Sequence, residues 1–158
     1  MREPVSLAYL LARASDTLAD TESLDAELRR DMLQGFGEVM RGADRAAWTN
    51  ALKKEVIPCQ RHEGEIVLLS HMDEIFDWFH GMKDGQGHGA IAKVMEHILH
   101  GQSLDIERFE LHQCGGLKDD AELEEYCFLV AGCVGEFWTA IGNICMPEFS
   151  SIEANRLT

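Results

Sequence analysis

Proline is scarce in this chain, three residues in 158, and no linker, low-complexity run or internal repeat divides it. That scarcity reads as one compact domain over residues 1–158, with 46% hydrophobic side chains to fill a single core. Basic charge is also short: 14 Lys and Arg stand against 28 Asp and Glu, a net charge of −14. Such a field repels nucleic-acid phosphates and anionic headgroups, which excludes nucleic acid as a partner. An anionic small molecule is held only where divalent cations or a local basic cluster reverse the sign of the field. The five cysteines (Cys59, Cys114, Cys127, Cys133, Cys145) are odd in number and form no C-x-x-C pair, the usage of a reduced, cytoplasmic chain. The seven histidines make no H-E-x-x-H or comparable zinc pattern. The glycine-rich stretch 81–89 (GMKDGQGHG) matches neither a Walker loop nor a dinucleotide fingerprint, and reads as a solvated turn.

Long apolar runs are nearly absent too. The amino-terminal one is broken by Arg13 and Asp16 and lacks a cleavage pattern, so it is not read as a signal peptide. Residues 126–146 carry a single charge, Glu136, near the middle. In a bilayer that charge costs about 2.5–3.5 kcal/mol, and Gly132, Gly135 and Gly142 weaken a span further. The segment reads as a buried helix rather than a transmembrane one, which leaves room only for peripheral contact with a membrane.

Helical spacing dominates and strand alternation is missing, so the fold class is all-α. Pro4 opens a first helix over about 4–20, and Ser23 is a suitable cap for a second that ends near Gly42. A third, around Trp48, should stop before Pro58. A fourth covers 63–80 and a fifth 90–100, followed by the segment GQSLDIERF. A long sixth starts at Asp119 and Asp120 and is closed by Pro147, with Ser150 or Ser151 capping a seventh.

The first helix carries the chemistry. Asp16 and Asp20 are four residues apart and fall about 40° apart on one face, with Tyr9 and Arg13 on the same face and Leu7, Leu11, Ala14 and Leu18 opposite. Two carboxylates at this spacing repel one another unless a cation lies between them. Mg²⁺ prefers carboxylate oxygens and shares its shell with substrate phosphates, so the face suits a metal-bound diphosphate, with Arg13 as a direct anion contact. Spacing alone favours the plainer reading, a solvated face with an Arg–Asp ion pair. Asp73 and Asp77 repeat the spacing, but among Ile75, Phe76, Trp78 and Phe79 they read as the polar side of an ordinary amphipathic helix.

YLLARASDTLAD resembles the first acidic motif of the squalene/phytoene synthase family. ELEEYCFLVAGCVGEFWT resembles the family's later helix, in which Tyr is followed by Val-Ala-Gly-x-Val-Gly, and GQSLDIERF is similar to its connecting segment. The resemblance covers nearly the whole chain. It implies an all-α isoprenoid-synthase-type helical fold, present in part. Asp16 and Asp20 would bind Mg²⁺ (or Mn²⁺) and through it a diphosphate, with Arg13 and Tyr9 lining the site. Tyr126 would sit beside the reacting carbons, and Val130, Ala131, Val134 and Gly135 would line the apolar tunnel for prenyl chains.

The implied reaction is head-to-head condensation of two prenyl diphosphates. Farnesyl diphosphate giving squalene or dehydrosqualene is the first reading; geranylgeranyl diphosphate giving phytoene is the second. Whether an NADPH-dependent reduction follows is not decided by the missing nucleotide fingerprint. Compared with the family, the chain begins after an amino-terminal Ser-Arg-x-Phe-like segment and stops before the helix with the second acidic motif. On that basis the 158 residues alone are expected to be catalytically silent and prone to self-association. The rival from another class is a non-catalytic helical module that associates with a full-length synthase; an Asn-x-x-x-Asp-x-x-x-Asp-like helix encoded beyond Thr158 would favour the enzyme.

Overall fold

Pro4 lies in the first turn of helix α1 (Arg2–Ala19), where its missing N–H has no partner to lose. The computed structural model describes residues 1–82, 85, 87–112 and 116–146, which are helical with no strand among them. As the heptad-like spacing requires, α1 buries Leu7, Leu11, Ala14 and Leu18 in helix–helix contacts.

Helix α2 (Ala26–Met40) is capped by Asp25, whose side chain accepts from the Glu27 N–H at 2.9 Å. Ser23 does not serve, because the Leu24 N–H closes a turn on the Thr21 carbonyl and the helix starts later. Gly42, at φ 95°, takes the left-handed position just past the end of α2.

Helix α3 (Ala46–Ala51) does not stop before Pro58 as expected. It continues as a π-helical segment (Leu52–Val56) and a 3-10 turn (Ile57–Cys59), in whose opening positions the absent proline N–H is not needed.

The expected single helix over 63–80 is two: α4 (Glu63–Ser70) and α5 (Met72–Gly81). His71 Nδ1 lies 2.8 Å from the Val67 carbonyl that its own N–H would otherwise take, and that N–H bonds to Leu68 instead. Ser70 Oγ likewise donates to the Ile66 carbonyl at 2.6 Å, so side chains compete with the backbone at the break.

The glycine-rich stretch separates α5 from α6 (His88–Asp105). Gly87 has φ 101°, and a Cβ there would fall 2.8 Å from Ile141 and 3.0 Å from Pro4. Helix α6 overruns its predicted end at residue 100 and passes into a π-helical segment (Ile106–Leu111). GQSLDIERF is therefore helical, not a connection. Apolar Val94, Met95, Leu99 and Ile106 keep one side of it in the core. Gly101 lets α6 approach Leu129 closely: a Cβ there would stand 3.1 Å from the Leu129 Cβ.

The long final helix runs as predicted, as α7 (Asp120–Cys127), a π-helical segment (Phe128–Gly132) and α8 (Cys133–Cys145). Asp119 caps it, accepting from the Glu122 N–H at 3.0 Å. The expected closure at Pro147 and the cap at Ser150 or Ser151 fall outside the described residues. The helix is less buried than its sequence suggested. It is long and apolar enough to cross a membrane, with only 22% of its apolar window buried. Leu129, Cys133, Phe137 and Ile141 reach the core, while Leu123, Val130, Trp138 and Ile144 face out.

Helix α6 is the central element, packed against α1, α2 and α8. Beside it, Phe36, Trp48 and Phe76 meet edge to face, with ring centroids 5.1–5.7 Å apart. The Trp48 indole N–H donates to the Met32 carbonyl at 2.9 Å, so the one polar atom in the cluster is satisfied. Pro4 and Ile141 converge on Gly87 at one end, and Ala19 and Tyr126 border a common pocket at the other, so α1 and the final helix run antiparallel across α6.

Candidate functional site

Burial of the leucine stripe of α1 forces its opposite face outward, and the last turns of that face carry Asp16 and Asp20. The two aspartates, with Ala19, form one wall of a pocket of about 300 Å³. Gln102 and Asp105 of α6 form the second wall; Ile106, Phe109 and Glu110 of the π-helical segment continue it, and Tyr126 of α7 faces them. The overrun of α6 beyond residue 100 is what brings Gln102 and Asp105 here.

The pocket is rich in acceptors. Gln102 Nε2 donates to Asp16 Oδ1 at 2.7 Å, leaving Gln102 Oε1 buried without a partner. Asp105 Oδ1 is also buried and unpartnered. Glu110 is held by Arg29, a residue only 4% exposed whose Nη1 also donates to the Ala19 carbonyl at 2.7 Å and so fastens the end of α1. Burial, then the neighbouring Asp20 charge, raises the Asp16 carboxyl above its ordinary range; the Gln102 hydrogen bond and Arg13 pull the other way. Burial raises Asp105 as well, against Arg108.

A raised folded-state value means that ionised Asp16 opposes folding at neutral pH. The opposition fades as pH falls through that value toward the unfolded one, 3.8. Asp16→Asn is therefore expected to melt higher than the parent at pH 7 without metal, with the advantage shrinking steadily on acidification toward pH 4. Thermal denaturation across that range checks it; an advantage that grew on acidification would reverse the sign.

Arg13 leaves this pocket for the other flank of α1. Its Nη2 donates to Glu65 Oε1 at 2.8 Å, and it borders a second, polar pocket of about 520 Å³ with Gln60, Arg61 and His62. Asp20 is the wall the two pockets share. Tyr9, two turns before Asp16, is 66% exposed and lines neither pocket. On the final helix Tyr126 is half-buried and enters the aspartate pocket, whereas Val130, Ala131 and Gly135 face solvent and Val134 packs against the core. Sequence reading thus brought Asp16, Asp20 and Tyr126 to one place and missed Gln102, Asp105 and Glu110. The available signal was the apolar spacing from Leu99 to Ile106, which continues the period of α6 through the supposed connection.

Among the described residues no three His, Cys, Asp or Glu side chains are grouped to enclose a metal ion. The aspartate pair is nevertheless a fit half-site. It is acceptor-only and open to the pocket, and Mg²⁺ ordinarily completes its octahedron with water and substrate phosphate oxygens.

The chain's sequence matches the family model described as squalene/phytoene synthase over residues 1–153. It is 27% identical over 155 residues to the squalene synthase of Saccharomyces cerevisiae, covering 98% of this chain and 32% of that protein. It is 26% identical over 153 residues to the squalene synthase of Cyberlindnera jadinii, covering 97% and 32%. A probable squalene synthase of Neurospora crassa is 27% identical over 147 residues, covering 91% and 28%. The chain thus spans about a third of the length of these relatives. No solved structure matches it significantly. With its all-α isoprenoid-synthase fold and a match reaching from end to end of the described helices, the chain belongs to the squalene/phytoene synthase family.

Proposed function

We propose that the chain is the part of a Mg²⁺-dependent prenyltransferase that carries one diphosphate-binding carboxylate pair and one wall of the prenyl tunnel. The parent reaction is head-to-head condensation of two farnesyl diphosphates to presqualene diphosphate, on the way to squalene or dehydrosqualene. The observation that carries the reading is the convergence of Asp16, Asp20 and Tyr126 on a single pocket of about 300 Å³.

Bound Mg²⁺ would supply charge stabilisation to the departing diphosphate. Asp16 and Asp20 would hold that ion from α1, and Arg13, on the adjacent flank, would reach the same anion by exchanging its partner Glu65 for it. Tyr126 would present its ring at the mouth of the tunnel. The outward apolar side chains Leu123, Val130 and Trp138 supply a surface for prenyl chains or for covering helices, and such a surface also favours self-association. The same helix supports a peripheral membrane contact for handling a lipid product, with the rest of the protein in the cytoplasm.

Two carboxylates give too few ligands for tight metal binding, so Mg²⁺ or Mn²⁺ is expected to raise the melting temperature only when pyrophosphate is also present. Thermal shifts with metal, pyrophosphate and both together test this. An equal shift with metal alone in the parent and in Asp16→Asn would refute it. Incubation with geranylgeranyl in place of farnesyl diphosphate, once a complete site is assembled, distinguishes a phytoene-type enzyme. The second reading, a non-catalytic module bound to a full-length synthase, draws on the absence of a third metal ligand among the described residues. It predicts no metal-dependent shift in any combination.

A further inference from the structure

We propose that Gln102 is a positioning residue for Asp16: it ties one carboxylate oxygen to α6 and leaves the other free for a divalent cation. The inference rests on the metal–diphosphate reading above and adds a residue from outside the acidic motif to it.

The argument starts from the hydrogen-bond inventory of an amide. Gln102 Nε2 donates to Asp16 Oδ1 at 2.7 Å, a short, charge-assisted bond between helices 86 residues apart in sequence. Turning the amide over would set its carbonyl against the Asp16 carboxylate, so this orientation is forced by Asp16. Its cost falls on Gln102 itself, whose Oε1 is buried with no partner. An unmet buried acceptor destabilises the fold, so a side chain selected for stability alone would be apolar at this position. The amide therefore serves Asp16. No donor among the described residues reaches Asp16 Oδ2, which stays free on a carboxylate whose rotation has been stopped.

The surroundings fit a cation. One turn further along α6, Asp105 Oδ1 is a second buried, unpartnered acceptor. Of the four carboxylates that line the pocket, Glu110 is already paired with Arg29, while Asp16, Asp20 and Asp105 have no salt-bridge partner among the described residues; the Tyr126 hydroxyl and the Gln102 amide are the side-chain donors of the lining. The surplus left by the three aspartates is one that a positive ion balances and an anion does not. Fixing the carboxylate beforehand removes a rotational freedom that metal binding would otherwise have to remove, which is how outer partners of metal ligands raise affinity.

The experiment uses the whole chain, with Mn²⁺ titrated in the presence of pyrophosphate and free Mn²⁺ read by electron paramagnetic resonance. Gln102→Met keeps the volume and removes both the donor and the orphaned carbonyl. It is expected to weaken Mn²⁺ binding about tenfold while leaving the metal-free melting temperature equal to or above that of the parent. Gln102→Leu, read in the same way, guards against a fault peculiar to methionine. Asp16→Asn is the control for the underlying reading. Loss of binding in Asp16→Asn with parental affinity in both Gln102 variants would overturn the positioning role and leave the metal site standing. A lower metal-free melting temperature with unchanged affinity would mean a structural role and overturn it equally. Equal Mn²⁺ binding by the parent and Asp16→Asn would overturn the metal reading, and this inference with it.

Discussion

Asp16→Asn, placed in this chain after it has been joined to the second acidic helix of a relative, is expected to lower squalene-type product formation about a thousandfold. Ionising an allylic diphosphate leaves about three negative charges on the departing group, and metal charge stabilisation of such a group is worth about 4 kcal/mol, or about three decades of rate. An asparagine keeps the shape and still accepts from Gln102, so the change isolates the charge. The 158 residues alone carry one aspartate pair of this kind on a helix face that meets the pocket, and are expected to give no product. Radiolabelled farnesyl diphosphate with Mg²⁺, followed by extraction of neutral lipid, reads all three proteins. Product from the isolated chain would refute the need for a second acidic helix. A joined, folded chain with both motifs and no product would refute the farnesyl-transfer reading.

The other large effect belongs to the core. Phe76→Ala is expected to destabilise the fold by about 3–5 kcal/mol, out of a total of about 5–15 kcal/mol for a domain of this size. Phe76 is fully buried and meets both Phe36 and Trp48 edge to face, so truncation removes contacts from two rings and leaves a cavity between α2, α3 and α5. Val67→Ala, on the outside of α4 at 51% exposure, should stay within about 0.5 kcal/mol. Urea denaturation compares them. A similar midpoint for both variants would show that the aromatic cluster is not where stability is concentrated.

What the sequence made legible was periodic. The leucine stripe of α1 and its polar reverse face follow from the 3.6-residue repeat alone, and Asp119 announces the start of the last long helix. What it hid was decided by competition between groups. Ser23 looks like a cap, but the turn from Thr21 to Leu24 uses those residues first. His71 stops a helix by taking a carbonyl with its ring, an outcome no propensity scale contains. GQSLDIERF reads as polar and loose, yet Gly101 brings it close to Leu129 and Ile106 is buried in the core, and that packing converts Gln102 and Asp105 into site residues. Arg13 stands on the correct face of α1 for the pocket with Asp16, and only the position of Glu65 on α4 draws it to the other flank.

The three π-helical segments, at Leu52–Val56, Ile106–Leu111 and Phe128–Gly132, each hold more residues per turn than the α-helix around them. In terms of insertions and deletions, the segment at Phe128–Gly132 is one extra residue absorbed by a widened turn. Deleting one residue there would return the segment to unbroken α-helix and leave α7 and α8 on nearly their present faces, with Phe137 and Ile141 in the core and Tyr126 at the aspartate pocket. The same deletion made in the regular turns between Tyr126 and Phe128 would instead swing Tyr126 by about 100°. A single-codon gap is thus silent within residues 128–132 and not beside them, and a pairing of this chain with a relative that places its gap inside the widened turn compares the same helix face on both sides of it.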